Sequence, residues 1–197
     1  MPKGLDAGWT GIRGAAVAWT LVCLGTACTP APEQFGPASL PSDAVTGAGD
    51  PLRSSVIAAA SAFASPGSLP PAAAARSIAR MEFLAANLPG SPTLRSSPPT
   101  LQPQLDIARA EWRGALGIAP DAPAQPVIDG LYAAGRALDA GQNAAAAAAL
   151  SAPPFQRGGP ATLAQLSSLP PLPRTAAAAL AAQQTLVEPS PSGRRRF

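Results

Sequence analysis

The side chains of this sequence that could do chemistry are few: two cysteines, Cys23 and Cys28, a thin scatter of carboxylates, and the hydroxyl residues. Histidine is absent, and Lys3 is the only lysine. That set excludes a Ser-His-Asp triad, a Cys-His pair, a histidine-based zinc or haem site and a lysine Schiff base beyond Lys3. There is no GxxxxGK phosphate loop, and Gly47 and Gly49 in VTGAGD lack the strand-to-helix setting of a dinucleotide site. The expectation is no catalytic residue, no metal site and no cofactor.

Among the carboxylates Glu111 is the most suggestive, because it stands next to Trp112. A carboxyl held against an aromatic ring can stay protonated and act as an acid on a glycosidic oxygen. Successive helical residues point about 100° apart, however, so a solvated helix charge is the favoured reading. Asp129 and Asp139 are read the same way. Trp112 and Tyr132 are the only Trp and Tyr beyond the first 28 residues. In a core otherwise built of Ala and Leu they are expected to be packing anchors, with a partner-binding surface as the alternative.

The formal net charge is +3, and Arg194, Arg195 and Arg196 alone account for as much. The body is thus near neutral, so nucleic-acid binding is not expected, and no residue pattern points to a small-molecule substrate. Those three arginines, followed by Phe197, are expected to form a short solvated tail, with acidic lipid or a partner as the other reading.

Residues 1–27 have the zones of a signal peptide. Lys3 and Arg13 stand against Asp6, then Gly14 to Ala27 carries no charge, and Gly25, Thr26 and Ala27 are small. The apolar run falls short of the ~20 residues that span a bilayer. With Cys28 next, the segment resembles the end of a bacterial lipoprotein leader, although Leu24 stands four positions before the cysteine and Gly25 occupies the usual leucine position. The resemblance implies cleavage after Ala27, a lipid on the Cys28 sulfur and residence in the cell envelope facing the periplasm. Thr29, rather than Asp, after the cysteine is compatible with the outer membrane. Ordinary secretion after cleavage at Ala27 or Ala31 is the alternative. Cys23 would leave with the leader, so no disulfide is expected.

Residues 28–50 are rich in Pro, Gly and small polar residues and read as a tether, with 29–49 expected to lack a fixed conformation. From Asp50 onward, Ala-rich blocks bounded by Pro or Gly predict helices over about 51–64, 70–88, 101–117, 124–140, 144–152, 160–169 and 174–187. In the second block Ala74, Ile78, Met81, Ala85 and Leu88 form the inward stripe, with Arg76, Arg80 and Glu82 off it. In the third, Leu105, Ala108, Trp112 and Ala115 point inward while Asp106, Arg109 and Arg113 share the opposite face. The fourth repeats the stripe with Val127, Leu131, Ala134 and Leu138, and is expected to pack antiparallel on the third.

The fold expected is all-α: Ala-rich antiparallel helical hairpins over 51–187, a disordered N-terminal tether, and a disordered tail over 188–197. Leu131–Leu150 resembles one unit of a tetratricopeptide-type repeat, without an evident second copy. The function expected is a non-enzymatic accessory or scaffold lipoprotein that binds a protein partner through a groove between helix pairs. The alternatives are a carboxylate-dependent enzyme acting on an envelope glycan and a loosely ordered periplasmic protein without a defined partner.

Overall fold

The computed structural model describes residues 37–45, 47, 49–65, 69–94 and 97–187. Among these are eight α-helices: α1 (Ser42–Val45), α2 (Pro51–Phe63), α3 (Pro71–Asn87), α4 (Leu101–Leu116), α5 (Ala124–Asp139), α6 (Asn143–Ala149), α7 (Gly159–Ser167) and α8 (Pro173–Val187). No strand occurs among the described residues; one isolated antiparallel bridge joins Ile118 to Phe155. The all-α class therefore holds. The leader with Ala27, Cys28, and the tail 188–197 lie outside the described residues.

The helix ends follow local chemistry. Asp50 caps α2, its Oδ1 accepting the amides of Leu52 at 2.9 Å and Arg53 at 3.3 Å, and Pro51 takes the first helical position where a missing amide costs nothing. Gly141 ends α5 at φ +71°, and the amide of Gln142 returns to the carbonyl of Ala137 at 2.8 Å, which closes the last turn and starts the α5–α6 hairpin. Asn143 is of a type favoured at helix N-caps, but it does not cap the next helix. It is instead the first residue of α6, which has no side-chain cap.

Helix α3 is the centre, in contact with α2, α4, α5 and α7. Its short side chains let neighbours approach closely: a Cβ added at Gly135 of α5 would lie 3.4 Å from the carbonyl oxygen of Ala72. Trp112, Tyr132, Ile78, Met81, Leu84 and Leu131 are the larger side chains that fill the interior. Helix α6 meets α7 at Gly159, where a Cβ would fall on the Ala147 carbonyl oxygen. Helix α8 lies against α2 and α4.

Three expectations are corrected. First, α4 and α5 are not a principal antiparallel pair, because α5 packs on α3 and α6, and α4 on α8 and α3. The chain turns at Gly117, φ +66°, and Arg113 then holds the carbonyls of the following loop, so α5 is directed onto the Ala-rich flank of α3. Second, Glu82, Arg109 and Arg113 are buried rather than on an outer face. Third, residues 37–45 of the expected tether rest on the body. The Ser39 amide donates to Gln125 Oε1 at 2.7 Å, Gln125 Nε2 donates to the Ser39 carbonyl at 3.1 Å, and Asn87 Nδ2 donates to the Ala38 carbonyl at 3.1 Å. Ala38, Leu40 and Ala44 pack on the core, and Asp43 pairs with Arg136 at 3.1 Å. The extended stretch before α1 has no helical bonds of its own and depends on such partners to stay against the body.

Candidate functional site

Two connected features stand out: a buried charge cluster and the groove beside it. Arg109, Trp112 and Arg113 are three and four residues apart, so α4 presents all of them to one region of α3, where Glu82 is fully buried. Glu82 Oε1 accepts from Nε of Arg109 at 2.9 Å and from the Nη2 groups of both arginines, and Oε2 accepts the Trp112 indole N–H at 2.9 Å and Arg113 Nε at 3.3 Å. Arg113 also donates to the carbonyls of Ala119 at 3.0 Å, Pro120 at 2.8 Å and Ala122 at 2.9 Å. One carboxylate thus holds two guanidiniums and an indole, and one guanidinium holds the α4–α5 loop. Burial lowers the Arg109 pKa; the Glu82 carboxylate acts against that, while the Arg113 charge adds to it.

Arg109 also lines the groove, an open cavity of about 1110 Å³. Leu52, Phe83 and Ala86, with Pro51, Pro89 and Pro92, give it apolar walls, and Asn87, Asp50, Thr93, Gln102 and Asp106 supply polar groups. Gln102 Nε2 donates to Asp106 Oδ1 at 2.8 Å, while Gln102 Oε1 is buried without a hydrogen-bond partner. Asp50 forms one end, joined to the Thr93 hydroxyl at 2.6 Å. Partial burial raises the Asp50 pKa, but the Thr93 hydroxyl and the amides of Arg53 and Leu52 together outweigh it and hold the carboxyl below its usual value. The groove is open, with mixed apolar and polar walls.

The carboxylates weighed in the sequence have structural partners. Both oxygens of Glu111 cap α8: Oε1 accepts the Arg174 amide at 3.2 Å, and Oε2 accepts the Thr175 amide at 2.8 Å and its hydroxyl at 2.7 Å. Asp139 pairs with Arg76 at 2.6 Å, and Asp129 accepts from Gln125 at 2.9 Å. No cluster of three or more metal-binding side chains occurs among the described residues. Trp112 and Tyr132 are 0% and 1% exposed, so in this structure neither offers surface to a partner. Burial pushes the Tyr132 phenol above its ordinary pKa against the pull of Arg80, and its hydroxyl has no hydrogen bond of acceptable geometry.

The sequence points to a groove between helix pairs without naming its lining, and it does not point to the charge cluster. The signal was present in α4, where Gln102, Asp106, Arg109 and Arg113 recur at spacings of four, three and four, a polar stripe that reads equally as a solvent face. A second signal was Glu82 itself, the sole acid within the apolar run Met81-Glu82-Phe83-Leu84. No family model, curated protein or solved structure matches this chain.

Proposed function

We propose that the chain is an exported lipoprotein precursor, cleaved after Ala27 and lipid-modified on Cys28, whose helical domain is a non-enzymatic accessory or scaffold in the cell envelope. It faces the periplasm, from the outer membrane, and binds a protein partner. The observation that carries this reading is the groove of about 1110 Å³ between the settled tether, α2, α3 and α4, with its apolar walls and its polar line along α4. No described helix is long and apolar enough to cross a membrane; in this reading the attachment is the lipid on Cys28. The engagement of Glu82, Glu111, Asp129 and Asp139 in ion pairs, caps and side-chain bonds supports a binding role over carboxylate catalysis.

Two measurements test it. Mass spectrometry of the mature N-terminus is expected to find a lipid-modified Cys28, and an intact Met1 terminus on a cytosolic protein overturns the localisation. A photo-crosslinker at Ala86 in the native cell is expected to capture one discrete envelope protein. If a crosslinker at Gln104, exposed and across α4 from Asp106, captures the same protein with equal yield, the groove is not the binding site.

A further inference from the structure

We propose that the groove selects a basic partner segment, in which an arginine or lysine flanked by apolar residues seats against Asp106, Gln102 and Asp50. This rests on the reading that the groove takes a protein partner, and it names the chemistry of that partner.

The side-chain donors around the groove are largely engaged within the protein. Asn87 Nδ2 donates to the carbonyls of Ala38 at 3.1 Å and Phe83 at 2.8 Å, which uses both of its hydrogens. The Thr93 hydroxyl donates to Asp50, and a Gln102 N–H donates to Asp106. Arg109 is the only cation on the groove wall among the described residues, and its Nε and Nη2 are bonded to buried Glu82.

The acceptors are in the opposite condition. Gln102 Oε1 is buried and accepts no hydrogen bond, while the nitrogen of the same amide is held by Asp106. A buried carbonyl oxygen without a donor carries a desolvation cost that a ligand N–H would remove. Asp106 is exposed; it lies near enough to Arg109 to favour that charge, but neither it nor Asp50 forms an ion pair among the described residues. Partial burial of Asp50 is outweighed by the Thr93 hydroxyl and the amides of Arg53 and Leu52, so its carboxyl is ionised at neutral pH. The Arg53 side chain is exposed on α2 and does not line the groove.

Two carboxylates and one orphan carbonyl oxygen therefore line a cavity whose walls are otherwise mostly apolar. That set is complementary to a guanidinium or an ammonium, which carries donors and no acceptor. An acidic segment would set its charge against Asp50 and Asp106 and leave Gln102 Oε1 without a donor. The whole chain carries +3, so a preference for basic ligands has to come from this local arrangement and not from the overall field.

The test is selection of random displayed peptides on the purified full chain. The recovered peptides are expected to be enriched in Arg or Lys beside Leu, Val or Phe, and a synthetic copy of the most enriched one is measured by fluorescence anisotropy. The pair Asp50→Asn and Asp106→Asn is expected to weaken its binding about tenfold. The thermal melt should stay in place, because Asn also caps helices and Asp106 is exposed. Replacing the peptide's basic residues by Gln should weaken binding by a similar factor, and combining the two changes should weaken it little further, as for two partners of one contact. A photo-crosslinker at Ala86 should capture the peptide and one at Gln104 should not. Neutral or acidic peptides, no enrichment, or undiminished binding of the Asn pair overturns the basic-segment proposal, while an Ala86 crosslink to an envelope protein would still support the groove. A basic peptide captured equally at Gln104 and Ala86 overturns the groove reading as well. Self-association that the Asn pair abolishes would assign the groove to a second copy instead.

Discussion

The indole N–H of Trp112 donates to Oε2 of Glu82 at 2.9 Å, so the largest ring of the core is also a ligand of its only buried carboxylate among the described residues. Packing and electrostatics therefore meet at one point. Glu82 belongs to α3, while Trp112 and the two arginines that share the carboxylate belong to α4. Those two helices have a limited contact surface, and the cluster is what fixes their register.

Removing the acid should be far more damaging than its single side chain suggests. Glu82→Ala leaves the Arg109 and Arg113 charges buried with no anion between them, and is expected to cost about 3–5 kcal/mol in chemical denaturation. Glu82→Gln, which keeps the shape but not the charge, should also destabilise. A stable Glu82→Ala protein would mean that the arginines can swing out to water and that the cluster does not order the core.

Trp112 and Tyr132 are both buried aromatics and should respond differently to loss of their polar atom. Trp112→Phe deletes a bond to a charged partner and is expected to cost about 1–3 kcal/mol, with Trp112→Ala reaching about 3–5 kcal/mol. Tyr132→Phe removes a hydroxyl that has Arg80 nearby but no hydrogen bond of acceptable geometry, and should lie within about 1 kcal/mol of the parent or above it. Urea melts of the three variants check the order, and a Tyr132→Phe loss as large as that of Trp112→Ala would contradict it.

Acid should weaken the start of α2. The Asp50 carboxyl is held below its usual value near 3.8, so its contribution is complete above that value and fades as the pH falls through the lower, folded one. Asp50→Asn lacks this titration, and the stability gap between it and the parent should narrow on acidification below about pH 3.8. At neutral pH Asp50→Ala is expected to cost about 1 kcal/mol, as for a lost helix cap. Melts at stepped pH read both effects.

The settled part of the tether depends on Gln125. That one side chain accepts from the Ser39 amide and donates to its carbonyl, copying the two-bond pairing of adjacent strands. Gln125→Ala is expected to raise protease cleavage within residues 37–49 while the melting temperature of the helical body changes little, because the bonds are exposed. Unchanged cleavage would show that Asn87 and Leu40 suffice to hold the segment.

Helix positions were legible because they depend on local chemistry. The Pro and Gly bounds place the seven expected helices within two or three residues of those found, and Asp50, Pro51 and Gly141 act as their types suggest. Pairing was less legible. An apolar stripe says that a face is covered and not by what, so α5 was assigned to α4 although α3 covers it. The site was hardest to read. Glu82, Arg109 and Arg113 become tolerable inside only through one another, and spacing within single helices cannot reveal a partner that lies 27 or 31 residues away. The tether was read by composition alone, which gives no sign that Gln125 and Asn87 would supply it with partners.

That docked segment changes the geometry of a leash. With Cys28 anchored as proposed, a free tether up to Asp50 would let the body range over about 75 Å, whereas a body that begins at Pro37 is held within about 30 Å of the anchor. The accessible volume scales with the cube of that length and so shrinks roughly fifteenfold, which raises the body's local concentration at the membrane surface by the same factor. The groove opens beside Pro37 and Ala38, at the short end of the leash. A partner resident in the same membrane would thus meet the groove at high effective concentration, so modest intrinsic affinity would suffice to keep the two together.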